Sequence, residues 1–191
     1  MHRRFEKPEE WTKNFDNPER DKWQLPAQVI EALAIQPSHK VADIGAGTGY
    51  FTMRLAKVAA KVFAADIEKD MVEFLNKRAA PEGLSNVTAV QAPADSANLP
   101  EKVDLIIIVD TYHHIGHRVA YFKRLAKSLK PGTGRLAIID WKPEDPMGPP
   151  KEFRFPAAQI AEELHKAGYK QTAQHAFLPN QSFTIYQPAH R

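Results

Sequence analysis

The sequence contains no cysteine, and no uninterrupted apolar run approaches the length of a membrane span. Without cysteine, these residues form no disulfide bonds, thiolate metal sites or cysteine nucleophiles. A membrane-spanning helix needs about 18 consecutive apolar residues, so we expect no membrane span. Residues 1–8 lack the apolar core of a secretory signal, and no signal peptide is expected.

Charge of one sign is not concentrated anywhere along the chain. The 191 residues carry a net charge of +3 and a sequence pI of about 9.0, with basic residues spread throughout. No run of lysine or arginine indicates a nucleic-acid track, so no nucleic-acid partner is expected. The length and a hydrophobic content of 43% fit one globular domain with a substantial core.

The most informative stretch is residues 41–51, which read V-A-D-I-G-A-G-T-G-Y-F. The first four predict a buried strand, and a helix is predicted to begin near Tyr50. Between them Gly45, Gly47 and Gly49 alternate. Glycine adopts positive φ and lets the backbone approach a ligand closely, and a helix N-terminus offers unpaired N–H groups. The stretch therefore predicts a binding site for an anionic or polar small molecule.

The spacing D-x-G-x-G-x-G, which begins at Asp43, resembles motif I of the class I S-adenosylmethionine (SAM)-dependent methyltransferases. A carboxylate at Asp43 suits a cationic α-amino group better than a pyrophosphate. The dinucleotide fingerprint G-x-G-x-x-G would need a glycine where Tyr50 stands, so a NAD-dependent oxidoreductase is the weaker alternative. The resemblance implies that the following residues hold the methionine part of SAM: Asp43, Gly45, Ala46, Gly47 and Gly49.

Two further acidic positions extend the resemblance. Asp66 ends the second predicted strand, where an acidic residue typically bonds ribose hydroxyls. The resemblance implies that Asp66 holds the SAM ribose, with Ile67 beside the adenine; an N-cap role is the alternative for Asp66. Residues 94–100, A-D-S-A-N-L-P, are similar to a family loop whose aspartate holds the adenine amino group. This implies Ala94 and Asp95 as adenine contacts, although a solvated loop residue is the alternative for Asp95.

The resemblance implies an α/β, Rossmann-like fold: a seven-stranded mixed sheet of order 3-2-1-4-5-7-6 with helices on both faces. The continuous apolar run 105–109 is typical of a strand covered on both faces. A reversed terminal hairpin distinguishes this fold from dehydrogenase domains. The predicted strands are 41–44, 60–66, 87–90, 102–110, 135–140, 172–177 and 182–187, and the predicted core helices are 50–58, 69–80, 118–129 and 156–167.

We expect residues 1–191 to form a single methyltransferase domain. Residues 1–34 are interpreted as an N-terminal helical lid over cofactor and substrate, and residues 35–191 as the SAM-binding core. Trp23 lines that lid or, alternatively, anchors it by packing. The proline-rich segment 141–154 follows the carboxyl end of a strand, where open α/β sheets bind ligands. It is interpreted as a substrate wall or, alternatively, a connector.

The segment D-T-Y-H-H-I-G-H, residues 110–117, leaves the carboxyl end of the fourth predicted strand, beside the expected methyl donor. His113 or His114 is a candidate general base, since the ordinary pKa of histidine, about 6.5, suits proton transfer near neutral pH. Tyr112 is a further catalytic candidate or, equally, a core residue. Positioning alone can carry much of an in-line methyl transfer, so a base is optional. Purely structural histidines are the other alternative.

The same segment has a metal-binding alternative. D-x-x-H-H resembles the E-x-x-E-H metal site of ubiquinone-pathway O-methyltransferases and small-RNA 2′-O-methyltransferases. That reading makes Asp110, His113 and His114 ligands of a divalent metal, with His117 a fourth candidate by proximity only. A histidine in place of a carboxylate favours softer metals than Mg²⁺. Without a metal, Asp110 is expected near the methionine end of SAM.

The expected function is methyl transfer from SAM to a small-molecule acceptor, leaving S-adenosylhomocysteine (SAH). The nucleophilic atom of the acceptor (O, N or S) stays open. A SAM-binding protein without methyl transfer, acting as a regulator or partner subunit, is the alternative from another class. Because SAM is made in the cytosol, we expect a cytoplasmic protein, either a monomer or a homodimer.

Overall fold

The computed structural model describes residues 8–189 and contains a seven-stranded sheet. The strands are β1 Lys40–Ile44, β2 Lys61–Asp66, β3 Val87–Gln91, β4 Leu105–Val109, β5 Arg135–Trp141, β6 Tyr169–His175 and β7 Gln181–Pro188. Their order across the sheet is β3-β2-β1-β4-β5-β7-β6. This confirms the predicted α/β fold and its sheet order.

Helices surround the sheet. They are α1 Pro8–Phe15, α2 Arg20–Gln24, α3 Pro26–Ala32, α4 Thr52–Leu55, α5 Lys69–Ala79, α6 Arg118–Leu125 and α7 Ala157–Lys166. Short 3-10 helices follow at Tyr112–His114, Ala126–Ser128 and Lys151–Phe153. Within residues 8–189, no helix is long and apolar enough to cross a membrane.

The first five strands run parallel, with β1 and β4 at the centre. Val41 of β1 pairs with Val62 on one side and Leu105 on the other. All five residues of β4 are buried, as the apolar run 105–109 predicts. Large apolar clusters cover both faces of the sheet, with Phe122 in one and Phe183 in the other. This burial holds the strand ends in fixed positions.

The last two strands form the reversed hairpin that the sequence predicts. β7 pairs antiparallel with both β5 and β6. β6 begins at Tyr169, three residues earlier than predicted, where the buried Tyr169 pairs with Pro188. Because β7 is antiparallel, its first residue, Gln181, lies opposite Trp141 at the carboxyl end of β5.

Two predicted helices are shorter in the structure. The helix after the glycine turn was expected over 50–58, but α4 covers only Thr52–Leu55. The Asn86 side-chain amide donates to the carbonyls of Ala56 and Ala59, at 2.8 and 2.9 Å, and satisfies the end of this helix. The helix expected over 118–129 is α-helical to Leu125 and continues as a 3-10 turn.

Candidate functional site

Four aspartates lie at the carboxyl ends of neighbouring parallel strands. Asp43 is in β1, Asp66 ends β2, Asp110 follows β4 and Asp140 is in β5. Because β2, β1, β4 and β5 are consecutive and parallel, these carboxylates share one edge of the sheet. We call this edge the carboxyl edge. It is where open α/β sheets bind ligands.

The glycine turn after β1 forms the floor of the carboxyl edge. Gly45, Gly47 and Gly49 have φ of +74°, +54° and +95°, a region that side chains disfavour. A Cβ on Gly45 would come within 2.8 Å of the Cβ of Thr111. The turn therefore needs glycine both for its backbone conformation and for its close approach to the chain after β4.

Asp66 fixes the shape of this turn. One carboxylate oxygen accepts the N–H of Gly47 at 2.8 Å, and the other accepts the N–H of Glu68 at 3.0 Å. The N-cap position of α5 is Glu68, so Asp66 is not the helix cap itself. Burial raises the pKa of Asp66, while the two N–H donors oppose that shift. An ionised carboxylate accepts up to about four hydrogen bonds, so this one retains acceptor capacity for a ligand.

Asp43 is buried beneath the turn. Its carboxylate accepts the Thr52 hydroxyl at 2.7 Å. Burial raises the pKa of Asp43 to about 6; Asp66 adds to the shift, and Thr52 and Arg20 oppose it. A cation at the carboxyl edge would favour the ionised form of this group.

Asp110 leaves β4 in a left-handed conformation, with φ of +52°. Its carboxylate accepts from Arg20, at 3.4 Å, and from the side-chain amide of Gln181. Burial raises the pKa of Asp110 to about 7; Arg20 and His113 oppose the shift, and Asp140 adds to it. Asp110 therefore lies within electrostatic reach of a histidine and a second carboxylate.

The N-terminal helices connect to the same edge. Arg20 donates to Gln24 at 3.1 Å, and Gln24 in turn donates to Gln181. We call the hydrogen-bonded set Arg20, Gln24, Asp110 and Gln181 the polar bridge. It joins α2 to the ends of β4 and β7 and is buried or half-buried throughout.

Further contacts seat the N-terminal segment on the glycine turn. The Arg20 guanidinium lies 4.0 Å from the Tyr50 ring centroid. Asp16 accepts from Thr48 at 3.2 Å and from Arg78 at 2.6 Å. The atoms nearest to a Cβ built on Gly47 belong to Phe15, at 3.6 and 3.7 Å. Residues 8–24 thus cover the turn rather than extending away from it.

Aromatic packing joins α2 to the proline-rich segment 141–154. The Trp23 and Trp141 ring centroids are 5.0 Å apart. On its other side Trp141 packs on Gly148, where a Cβ would come within 2.9 Å of the indole. Trp23 is half-buried in this contact. The contact agrees with the packing alternative for Trp23, and its role in lining a lid stays a prediction.

The two central histidines differ in their surroundings. His113 is nearly buried, and its Nδ1 lies 3.0 and 3.1 Å from the two carboxylate oxygens of Asp140. His114 is exposed, with its ring centroid 4.2 Å from that of His113. His113 is therefore held in a fixed orientation at the carboxyl edge.

Tyr112 points away from the carboxyl edge. Its ring is fully buried against Phe122, at 5.7 Å between centroids. Its hydroxyl donates to Glu163 at 2.7 Å, and Glu163 also pairs with Arg118. This location favours the core alternative for Tyr112 over a catalytic one.

The metal alternative finds no support in residues 8–189, where no three His, Asp or Glu side chains converge as a ligand set. The left-handed backbone at Asp110 turns its carboxylate toward Arg20 and Gln181. His113 is turned toward Asp140 instead. The D-x-x-H-H spacing thus places the two histidine rings side by side but does not direct Asp110 and His113 at a common point.

The predicted adenine contacts lie on neighbouring loops. Ile67 is half-buried and directly follows Asp66. Ala94 is exposed, and the Asp95 carboxylate is exposed as well, 3.8 Å from Arg124. Their role toward adenine stays a prediction.

Sequence reasoning missed Asp140 and the roles of Arg20 and Gln181. Asp140 did have a signal, because it ends an apolar strand just as Asp43 and Asp66 do. Arg20 and Gln181 had none, because their partners lie 90 and 71 residues away in the chain.

Comparison with known proteins agrees with this geometry. Residues 41–132 match a family of methyltransferase domains. The fold is similar to the crystal structure of a SAM-dependent methyltransferase from Aquifex aeolicus, with a TM-score of 0.87 and 26% identity, over 96% of this chain and 99% of that one.

Two curated relatives match over shorter stretches. The uncharacterized methyltransferase YcgJ of Bacillus subtilis (strain 168) is 30% identical over 121 residues, which are 62% of this chain and 47% of the relative. The ubiquinone/menaquinone biosynthesis C-methyltransferase UbiE of Ectopseudomonas mendocina (strain ymp) is 31% identical over 124 residues, 62% of this chain and 48% of the relative. The chain spans about half the length of these curated relatives.

The sheet order and the glycine turn with its acidic neighbours define a Rossmann-like SAM-binding class of protein. With the matches above, residues 41–132 belong to a family of methyltransferase domains, and the whole fold is that of the class I SAM-dependent methyltransferases.

The described residues fit SAM. At Gly47 the atoms nearest to a built Cβ are those of Phe15, at 3.6 and 3.7 Å, so the backbone of the turn is open to a close approach there. Asp66 keeps acceptor capacity for hydroxyl groups, and the buried Asp43 suits a ligand that carries positive charge. SAM supplies an electrophilic methyl group on a cationic sulfur.

Proposed function

We propose that this protein transfers the methyl group of SAM to a small-molecule acceptor. The observation that carries the proposal is the set of buried carboxylates around the glycine turn. Asp66 is placed to accept the ribose hydroxyls, and Asp43 and Asp110 to attract the cationic methionine end. Because Asp43 and Asp110 are partly protonated near neutral pH, a cationic ligand gains by ionising them.

A small acceptor is favoured by the covering of the carboxyl edge. Residues 8–24 lie over the turn, and the Trp23–Trp141 contact closes the side toward segment 141–154. His113 beside Asp140 is the candidate base for an acceptor that must lose a proton. The printed name of UbiE describes a C-methyltransferase, so a carbon acceptor joins O, N and S acceptors in the search.

The test is calorimetric binding of SAM and SAH, with and without EDTA and added divalent metals, followed by turnover with an acceptor panel. We expect both ligands to bind independently of metal, and SAM to be converted to SAH in the presence of the right acceptor. No binding of either ligand would overturn the proposal. SAM that is bound but never converted would instead support a SAM-binding regulator.

SAM affinity is expected to rise by about tenfold between pH 5 and pH 7. Burial raises the pKa of Asp43 to about 6. Below that pH the group is neutral, and above it the ionised group attracts the cation. If bound SAM lowers the pKa of Asp43 by one unit, SAM binds about 1.4 kcal/mol more strongly above this pKa than it does well below it. Calorimetry at both pH values measures the change. Asp43→Asn should make the slope shallower and leave the part that comes from Asp110, whose pKa is about 7. Asp70→Asn, a change on an exposed part of α5, should preserve the wild-type slope. A wild-type affinity that does not change with pH would contradict the expectation.

We infer that residues 8–24 form a cover that must be in place when SAM is bound. The contacts of Asp16 and Arg20 with the glycine turn support this. Bound SAM should therefore slow trypsin cleavage after Arg20 and Lys22. Equal cleavage rates with and without saturating SAM would contradict the cover.

A further inference from the structure

Asp140 makes contacts with His113 that neither the sequence motifs nor the family match assign. It lies near the carboxyl end of β5 and is 1% exposed. One oxygen accepts the N–H of Trp141 at 2.8 Å, and the other accepts the N–H of His113 at 3.3 Å. Both oxygens are then within 3.1 Å of the His113 Nδ1. The carboxylate is thus held by two backbone donors and faces one imidazole nitrogen.

We propose that Asp140 is a positioning residue that holds His113 as the general base for the methyl acceptor. This inference rests on the proposed function. An ionised carboxylate only accepts hydrogen bonds, so Nδ1 of the neutral imidazole carries the hydrogen and Nε2 carries the lone pair. Within residues 8–189, Nε2 of His113 has no hydrogen-bond partner, so it is available to an acceptor's proton.

The proton balance of the step is simple. The acceptor's lone pair forms the new bond to the methyl carbon, and the electron pair of the broken sulfur–carbon bond stays on sulfur. The acceptor's proton moves to Nε2 of His113. The resulting imidazolium is next to the Asp140 carboxylate, which stabilises the charge as it forms.

Three other charged or titratable groups lie near His113. Asp110 lies on the β4 side, His114 is its chain neighbour, and Arg20 reaches the edge from α2. Arg20 is paired with Asp110 rather than with Asp140. Asp140 is therefore the carboxylate that orients the ring.

His114 is exposed, and the carboxylate of Asp140 faces His113 instead. Of the two candidate bases that the sequence leaves open, the contact with Asp140 therefore assigns this role to His113.

The first test reads the tautomer and needs no substrate. In the full chain labelled with 15N-histidine, the His113 signals, assigned by their loss in His113→Gln, should show the Nδ1–H tautomer. In Asp140→Asn the two backbone donors compete for the single amide oxygen, and the NH2 group turns to Nδ1. We then expect the Nε2–H tautomer, whose Nε2 cannot accept a proton. A wild-type Nε2–H tautomer would overturn the proposal.

The second test reads turnover. Asp140→Asn should lower kcat by about 100-fold, the scale of general-base catalysis, with KM and SAM affinity within about twofold of wild type. The double variant with His113→Gln should lose no more than the single ones, because the two residues act as a unit. Asp104→Asn is the matched control: Asp104 also accepts a backbone N–H, from Lys40 at 2.8 Å, but lies at the opposite end of the sheet. It should leave kcat unchanged.

Different outcomes would overturn the role of Asp140 and the methyltransferase activity. If the wild type turns over and Asp140→Asn keeps both its tautomer and its kcat, the role of Asp140 is overturned and the methyltransferase proposal stands. If the wild type binds SAM but never forms SAH, the methyltransferase proposal falls instead, and the base role falls with it.

Discussion

Replacing Asp66 with alanine is expected to weaken SAM binding by about 100-fold or more. Hydrogen bonds to a charged group contribute about 1.5–3 kcal/mol each, and about 1.4 kcal/mol corresponds to a factor of ten in affinity. The substitution removes the acceptors proposed for the ribose. It also removes the partner of the Gly47 N–H, which holds the turn at 2.8 Å. Calorimetry with SAM and SAH measures both losses.

The matched control is Asp70→Ala. Asp70 is exposed in the first turn of α5, four residues beyond Asp66. It should leave SAM affinity within about twofold of wild type. An unchanged affinity in Asp66→Ala would show that the ribose is held elsewhere. Thermal unfolding of both variants separates a loss of binding from a loss of folded protein.

Gly45→Ala is expected to lower the free energy of unfolding by about 2–5 kcal/mol and to abolish SAM binding at micromolar concentrations. Two costs add at this position. The φ of +74° strains an L-residue, and overpacking typically adds about 1–3 kcal/mol. The new methyl group would lie 2.8 Å from the Cβ of Thr111, a residue that follows β4. Denaturant unfolding measures the first effect and calorimetry the second.

Two other glycines separate strain from crowding. Gly83 has φ of +70° with nothing within 4 Å of a built Cβ, so Gly83→Ala should cost only the backbone strain, about 1–2 kcal/mol. Gly116 has neither a positive φ nor a nearby atom, and Gly116→Ala should stay within about 0.5 kcal/mol of wild type. Equal losses in the Gly45 and Gly83 variants would show that Thr111 gives way and that crowding contributes nothing.

The sequence predicted those parts of the structure that depend on neighbouring residues. The contiguous strand, glycine turn and helix carried the family resemblance that implied the sheet order, and the apolar run 105–109 marked a strand covered on both faces. Asp43 and Asp66 were found because each sits at the end of such a local pattern. Asp140 lies near the end of the apolar strand β5, yet no resemblance pointed to it.

Other features depend on residues far apart in the chain. Asn86 reaches back 30 and 27 residues to the carbonyls of Ala56 and Ala59, which follow the end of α4. The D-x-x-H-H spacing suggested a metal because a linear pattern shows neither the left-handed backbone at Asp110 nor the contact of His113 with Asp140. The contact of Arg20 with Asp110 needs the whole fold between them.

The polar bridge also sets an order of events while the chain is being made. Gln24 and Gln181, which bond each other in the bridge, are separated by 157 residues. On the ribosome, α2 and the end of β4 emerge long before β7 exists. Until residue 181 has left the exit tunnel, Arg20 is the only member of the polar bridge that can join Gln24 to Asp110, and the bridge lacks its link to β7. The nascent protein therefore completes its polar bridge only after residue 181 has emerged, whatever the speed at which its first four strands form.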